Sequence, residues 1–114
     1  MKYKVMIVED QTMPRELFEL RIQASEHFEV ALSIDNAALA DVYCLRFPVD
    51  LILMDVVTRN GESGLDAAER IKRAFPQIKI IIVTSMPECS YLSRAREIGV
   101  ESFWYKEEQR ESLL

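Results

Sequence analysis

Four apolar segments of this sequence each end on residues whose side chains can take part in chemistry. These residues are Glu9 and Asp10, Asp55, Thr84 and Ser85, and Lys106. If the segments are parallel strands, their carboxyl ends share one edge of a sheet, so residues distant in sequence meet there. Each residue alone has an ordinary explanation as a helix cap, a turn hydroxyl or a solvated lysine. Their shared placement after four different strands indicates a site.

The expected site combines three carboxylates with one lysine. Carboxylates held close together repel one another unless a positive charge neutralises them. A few hard oxygen ligands with room for water suit Mg²⁺ better than Ca²⁺ or zinc. Lys106 adds a second, mobile positive charge, so the site is suited to holding an anion beside a cation, which indicates phosphoryl chemistry. Because the sequence has no Walker-type glycine-rich loop, the simplest role makes one carboxylate the acceptor, and Asp55 is the best candidate.

The strands that would position these residues are strongly apolar. They are predicted at Tyr3–Val8, Phe28–Ile34, Pro48–Asp55, Ile78–Val83 and Ser102–Tyr105. The central segment is hydrophobic on both alternating faces, which is typical of a strand covered by helices on both sides. Strands and helices alternate along the whole chain. The pattern therefore predicts an α/β fold with a doubly wound, five-stranded parallel sheet, flavodoxin-like, in strand order 2-1-3-4-5.

The intervening helices are predicted from apolar spacing and from their ends. The first opens at Gln11-Thr12, and its inward face is expected to carry Met13, Leu17, Leu20 and Ala24. Gly99 is expected to end the fourth helix in the left-handed conformation. A fifth helix begins at Glu107 and is cut short by the last residue of the sequence, so the chain is expected to be a fragment of something longer.

Composition is consistent with one small globular domain. The chain has 114 residues and a net charge of −5, which argues against a nucleic-acid-binding surface and fits acids gathered around a cation. The two cysteines, Cys44 and Cys89, lack metal-ligand spacing and are expected to be reduced thiols. No segment is long and apolar enough to span a bilayer, and no targeting segment is recognisable. These features predict a cytoplasmic protein that does not bind membranes.

Taken together, the motifs resemble the receiver domain of two-component response regulators, and the likeness covers essentially the whole chain. The carriers of the resemblance are the acidic pair, Asp55 after its apolar strand, Thr84 followed by a small residue, and Lys106. The Leu-Ile-Leu-Met-Asp strand, the Gly-Leu-Asp-Ala-Ala helix start and the Ile-Ile-Ile-Val-Thr-Ser strand are similar to the NarL/FixJ-like branch. The resemblance implies a single receiver domain over residues 1–114, with any output domain beyond residue 114.

The resemblance implies a specific role for each acid. Asp55 accepts a phosphoryl group from a phosphohistidine on a sensor histidine kinase. Asp10 chiefly, with Glu9 helping, binds Mg²⁺ alongside Asp55 and the backbone carbonyl of Val57. The chain is then no enzyme in the usual sense, but a phosphoacceptor with self-catalysed phosphotransfer and dephosphorylation at most.

The same resemblance implies how the signal leaves the site. Lys106 pairs with the phosphoryl oxygens, and the Thr84 hydroxyl, followed by the small Ser85, swings to bond them. Phe103 occupies the aromatic switch position, for which a plain core role is an equal alternative. The altered surface favours a partner or a homodimer on activation. Transcription is then controlled through a DNA-binding domain that lies outside this chain.

The sequence departs from the family pattern at two loops. The segment 56–60 has no proline shortly after Asp55, and the run from Asp55 to Gly64 is about one residue longer than usual. The shape of this loop, and with it the dephosphorylation rate, is therefore not taken over from the family pattern. Glu107 replaces the proline that often follows the lysine, so a cis Lys106–Glu107 peptide is not assumed, since it would cost about 3 kcal/mol without proline.

Three other interpretations remain open at this point. A phosphatase of the haloacid dehalogenase type also has a nucleophilic aspartate after an apolar strand, but it needs a second acid where this chain has Val57. A flavin carrier shares the fold, although Glu9-Asp10 is a poor phosphate-binding first loop. A receiver-like interaction module without phosphorylation is the third alternative.

Overall fold

Five parallel strands form one sheet in the order β2-β1-β3-β4-β5. The computed structural model describes residues 2–56, 63–84 and 89–105. The strands are β1 (Tyr3–Val8), β2 (Phe28–Ile34), β3 (Leu51–Asp55), β4 (Lys79–Thr84) and β5 (Ser102–Tyr105). The predicted fold class and strand order are therefore confirmed. β4 is shifted by one residue from its predicted bounds, and β3 begins at Leu51 rather than at Pro48.

Four α-helices connect the strands in the described residues. They are α1 (Thr12–Gln23), α2 (Ala40–Arg46), α3 (Gly64–Ala74) and α4 (Cys89–Ile98), and a 3₁₀ helix (Ala37–Leu39) precedes α2. Side chains cap two of these starts: Asn36 accepts a bond from Ala38 N at 2.9 Å, and Ser63 accepts one from Asp66 N at 3.2 Å. Gly99 follows α4 with φ of 91°, as the sequence predicted.

The alternation of side chains along the strands produces a separate core on each face of the sheet. On one face, α1 covers the smaller cluster, which comprises Val5, Ile7, Phe18, Leu53 and Val83. On the other face, α2, α3 and α4 cover the larger cluster, which includes Met6, Val8, Ile52, Met54, Ile80 and Ile82. Because β1 and β3 are covered on both sides, their carboxyl ends are the places where buried strands open towards solvent.

The predicted inward face of α1 is wrong. Met13 and Leu20 are 81% and 63% exposed, whereas Phe18 is 4% exposed and Ile22 packs beside it. Apolar residues occur nearly all round this helix, so spacing alone did not select the buried stripe. The helix instead turns its aromatic ring into the core, because burying the largest apolar side chain removes the most surface from water.

A polar cluster closes the amino edge of the sheet, opposite the expected site. The Glu101 carboxylate accepts bonds from Lys72 Nζ at 2.9 Å and from Ile80 N at 2.8 Å. Partial burial raises the pKa of Glu101, but the Lys72 ammonium and these two bonds outweigh it and hold that pKa below 4.5. Glu101 therefore ties α3 to β4 in its ionised form.

The predicted fifth helix and the Lys106–Glu107 peptide lie outside the described residues. Among the helices that the structure does describe, none combines the length and the apolar character needed to cross a bilayer.

Candidate functional site

Three acidic side chains meet at the carboxyl ends of the two central strands. Glu9 directly follows β1, and Asp55 is the last residue of β3. Because Val8 pairs with Met54 in the β1–β3 register, Glu9 lies level with Asp55. One carboxylate oxygen from each of Glu9, Asp10 and Asp55 lies within 4.8 Å of the others. The structure thus brings together the three acids that the sequence placed at the ends of separate segments.

Burial makes this cluster electrostatically unusual. Glu9 and Asp55 are only 1% and 7% exposed, and Asp10 is half-buried. Two negative charges at this separation repel by about 3 kcal/mol in a protein environment of intermediate polarity. A bound divalent cation would replace this repulsion with attraction. Three carboxylates around one point, one of them partly open to water, form an oxygen donor set that fits Mg²⁺.

The loop that carries the acidic pair is held from several directions. Glu9 N donates to Ile34 O at 3.0 Å, which joins the loop to the end of β2. Gln11 N donates to Glu9 Oε2 at 3.2 Å, and Arg15 Nη1 donates to Glu9 O at 3.1 Å. These bonds connect the end of β1 to the start of α1, so the position of the acids depends on how α1 is seated.

Gly64 determines how closely α3 can approach Asp55. Its amide donates to Val56 O at 2.6 Å. A Cβ atom added to Gly64 would lie 1.7 Å from the Asp55 carbonyl oxygen and 3.0 Å from Met54 Cγ. Only glycine allows this contact between the two backbones. The sequence placed Gly64 at the start of a helix, but it gave no sign of the close contact with Asp55 or of the bond from Arg15.

The other predicted site residues are only partly covered by the described structure. Thr84 is the last residue of β4 and follows Val83, which pairs with Asp55, but its side chain lies outside the described residues. Phe103 pairs with Ile82, is half-buried and packs against the larger core cluster. Three predicted residues also lie outside the described part of the chain: Val57, Ser85 and Lys106.

Comparison with known protein families identifies the family to which this chain belongs. Residues 5–114 match the family model described as the response regulator receiver domain. This chain is a response regulator receiver domain. Receiver domains act in phosphorylation-dependent signalling within two-component systems. The family match favours this assignment over the dehalogenase-type phosphatase and the flavin carrier.

Curated relatives agree with the receiver assignment and with the expected branch. The chain is 29% identical over 111 residues to the oxygen regulatory protein NreC of Staphylococcus haemolyticus, and similarly to NreC of Staphylococcus aureus. These alignments cover 97% of this chain and 51% of each relative, so the chain spans about half the length of those proteins. NreC belongs to the NarL/LuxR family, which confirms the NarL/FixJ-like resemblance.

Solved structures support the same assignment. A LuxR-family DNA-binding response regulator from Staphylococcus aureus superimposes with a TM-score of 0.84 at 27% identity, covering 92% of this chain and 87% of that one. A CheY-like receiver domain protein from Methanospirillum hungatei gives a TM-score of 0.84 at 18% identity, covering 99% of this chain and 91% of that one. The second likeness concerns the fold alone.

Proposed function

We propose that Asp55 accepts a phosphoryl group from a phosphohistidine of a sensor histidine kinase, with Mg²⁺ as the cofactor. The observation that carries this proposal is the grouping of Glu9, Asp10 and Asp55 carboxylate oxygens within 4.8 Å at the strand ends. In the transfer, an Asp55 carboxylate oxygen forms a bond to phosphorus while the bond from phosphorus to the imidazole nitrogen breaks. The imidazole keeps the electron pair and then takes a proton.

The acids divide the work of the site between binding and reaction. Asp10 chiefly, with Glu9 helping, would hold the cation together with Asp55 and the backbone carbonyl of Val57, and Asp55 also supplies the oxygen that bonds to phosphorus. When bound, Mg²⁺ neutralises the negative charge that gathers as the anionic donor approaches the carboxylates. Burial of Glu9 and Asp55 strengthens these interactions, because less water screens them.

The proposed response uses residues on the two strands beyond β3. Phosphorylation adds negative charge and acceptor oxygens, which recruit the Lys106 ammonium and the Thr84 hydroxyl through charge-assisted bonds, with Ser85 leaving space beside them. Movement of Thr84 makes room for Phe103. The half-buried packing of Phe103 against the larger core supports this role, because a partly exposed ring can change its burial.

The physiological setting is also a proposal. Residues 1–114 form one receiver domain that works in the cytoplasm. Its output is transcription, through a DNA-binding domain outside this chain, and the activated surface favours a homodimer. Two observations support this setting. The relatives named NreC are about twice as long as this chain and are described as regulatory proteins. The similar structure from Staphylococcus aureus is described as a DNA-binding response regulator. Self-catalysed loss of the phosphoryl group completes the cycle.

Intact-mass spectrometry after incubation with acetyl phosphate and MgCl₂ tests the proposal. We expect the wild type to gain one phosphoryl group, and the gain to disappear when the metal is chelated. Asp55→Asn removes the acceptor and should abolish the adduct. Asp50→Asn is the matched control, because Asp50 precedes the same strand at the opposite edge, where its carboxylate accepts a bond from Lys4 N at 2.8 Å.

Two results would contradict the proposal. One is a wild-type chain that acquires no adduct at any Mg²⁺ concentration, which would leave the non-phosphorylated interaction module. The other is an Asp55→Asn chain that is labelled as fully as the Asp50→Asn control.

A further inference from the structure

Arg15 contacts the backbone of the acidic pair from the first turn of α1. Its Nη1 donates to the carbonyl oxygen of Glu9 at 3.1 Å. That oxygen belongs to the peptide group joining Glu9 to Asp10, so one guanidinium holds the link between two of the three clustered carboxylates. Rotation of this peptide would turn the Asp10 side chain away from its present direction relative to Glu9.

The start of α1 has no side-chain cap, and other bonds hold the amide side of Glu9. Gln11 is the N-cap residue and makes no side-chain capping bond, and the first turn of α1 contains no acidic residue. The amide side of Glu9 is tied to β2 through Ile34 O, and Gln11 N binds the Glu9 carboxylate. The Arg15 bond is the complementary restraint, because it acts on the carbonyl side, next to Asp10.

The charge of Arg15 and its hydrogen bond have opposite effects on the affinity of the acidic cluster for a cation. A positive charge near the acids disfavours a second cation, whereas a fixed Glu9–Asp10 peptide favours it by keeping the ligands in place. Arg15 is half-buried and lines an open groove of about 500 Å³ between α1 and the end of β2. Glu16, Glu19 and Asp35 line the same groove, and with solvent they screen the charge. The restraint is therefore the larger effect.

We propose that Arg15 is a positioning residue of the metal site, which sets its affinity for Mg²⁺ by holding the Glu9–Asp10 peptide. The inference rests on the proposed function, because it concerns the same carboxylates. Removing a group that orients metal ligands from outside the coordination sphere typically weakens metal binding about 10- to 100-fold. The half-buried location of Arg15 puts the expected effect near the lower end of that range.

Calorimetric titration with MgCl₂ measures this effect directly. Arg15→Met keeps the aliphatic stem but removes both the charge and the donor, and its Mg²⁺ dissociation constant should rise about tenfold. Arg21→Met removes the same charge from the last turn of the same helix, at an exposed position, and should match the wild type. Circular dichroism without Mg²⁺ verifies that both variants are folded at the titration temperature.

A second readout separates positioning from general damage. The rate of phosphorylation by acetyl phosphate is followed at increasing MgCl₂. For Arg15→Met, the Mg²⁺ concentration at half-maximal rate should rise in step with the dissociation constant, while the rate at saturating Mg²⁺ stays close to that of the wild type. Should Arg15→Met not fold, Arg15→Lys replaces it, with a smaller loss of affinity expected because a lysine can still donate one bond.

The outcomes distinguish this inference from the proposed function. If Arg15→Met binds Mg²⁺ as tightly as the wild type, or more tightly, the positioning role is overturned while phosphorylation of Asp55 stands. An equal loss of Mg²⁺ affinity in Arg21→Met would also overturn the positioning role, because the effect would then come from the charge of the helix alone. A wild-type chain that binds no Mg²⁺ would overturn both proposals.

Discussion

The contact between Gly64 and Asp55 predicts that adding a single methyl group at Gly64 will lower the free energy of unfolding substantially. Gly64→Ala adds one carbon atom, which would lie 1.7 Å from the Asp55 carbonyl oxygen. Since real Cβ atoms keep at least 3.0 Å from such neighbours, one of the two backbones must move by more than an ångström. Either α3 shifts away from β3, or the end of β3 moves and carries the Asp55 carboxylate with it.

The size of the effect follows from three contributions. Overpacking of this kind costs about 1–3 kcal/mol, with the upper part of the range expected because both colliding groups are backbone. Loss of the bond from Gly64 N to Val56 O adds about 1 kcal/mol. Alanine's higher helix propensity returns up to about 1 kcal/mol. The free energy of unfolding should therefore fall by about 2–3 kcal/mol, which lowers the melting temperature by about 8–12 °C in a chain of this size.

Thermal unfolding followed by circular dichroism measures this change, and Gly99 offers a matched control. Gly99 has a left-handed φ of 91° with open space where a Cβ would be, so Gly99→Ala should cost about 1 kcal/mol and Gly99→Asn less, because asparagine adopts this conformation more readily. At Gly64 asparagine should be worse than alanine. A Gly64→Ala protein that melts within a degree or two of the wild type would refute the proposed collision.

Three further predictions concern the core, a thiol and an ion pair. Phe18→Ala should lower the free energy of unfolding in urea by about 3–4 kcal/mol, while Met13→Ala on the same helix should change it by less than about 0.5 kcal/mol; similar losses would contradict the assigned buried face. Burial, with a smaller contribution from the nearby Asp41 carboxylate, raises the pKa of the Cys44 thiol to about 11. Iodoacetamide at pH 8 should therefore alkylate Cys44 about 100-fold more slowly in the folded chain than in urea, and equal rates in peptide mass spectra would exclude a protected thiol. Because the folded pKa of Glu101 is lowered, its stabilising effect is complete above about pH 4.5 and is lost as the pH falls through the folded value. The difference in the free energy of unfolding between wild type and Glu101→Gln, measured in urea, should thus be largest near neutral pH, at about 1 kcal/mol. This difference should shrink below about pH 4.5. A difference that does not depend on pH would contradict the ion pair.

The strands and their order could be predicted because their signals are local and strong. A run such as Leu51–Asp55, apolar on both faces and ending on an acid, is compatible with few structures other than a buried parallel strand. Parallel strands then place their carboxyl ends at one edge, so the proximity of Glu9, Asp10 and Asp55 followed from the sequence. The local apolar pattern and the geometry of parallel sheets therefore predicted the same arrangement.

The rotation of α1 could not be predicted, because several apolar stripes compete on its surface. Contacts made only in the folded chain decide between them. Phe18 enters the core between the strands, Glu19 Oε2 accepts a bond from Ser33 Oγ at 2.8 Å on β2, and Arg15 reaches the Glu9 carbonyl. Each partner lies outside α1, so the spacing of apolar residues within the helix could not predict these contacts.

The strand that ends on Asp55 also has features that the sequence determined and features that only the tertiary structure decided. The sequence by itself determined that a buried strand ends on a carboxylate, with two more acids at the same edge, because a strand that is apolar on both faces and a parallel topology leave little choice. Only the tertiary structure decided how that carboxylate is framed, since Gly64 fits against the Asp55 carbonyl with no room for a Cβ and Arg15 holds the neighbouring acidic pair. Both contacts join backbone atoms to residues on other elements, and such contacts depend on how the elements pack rather than on residue type or spacing.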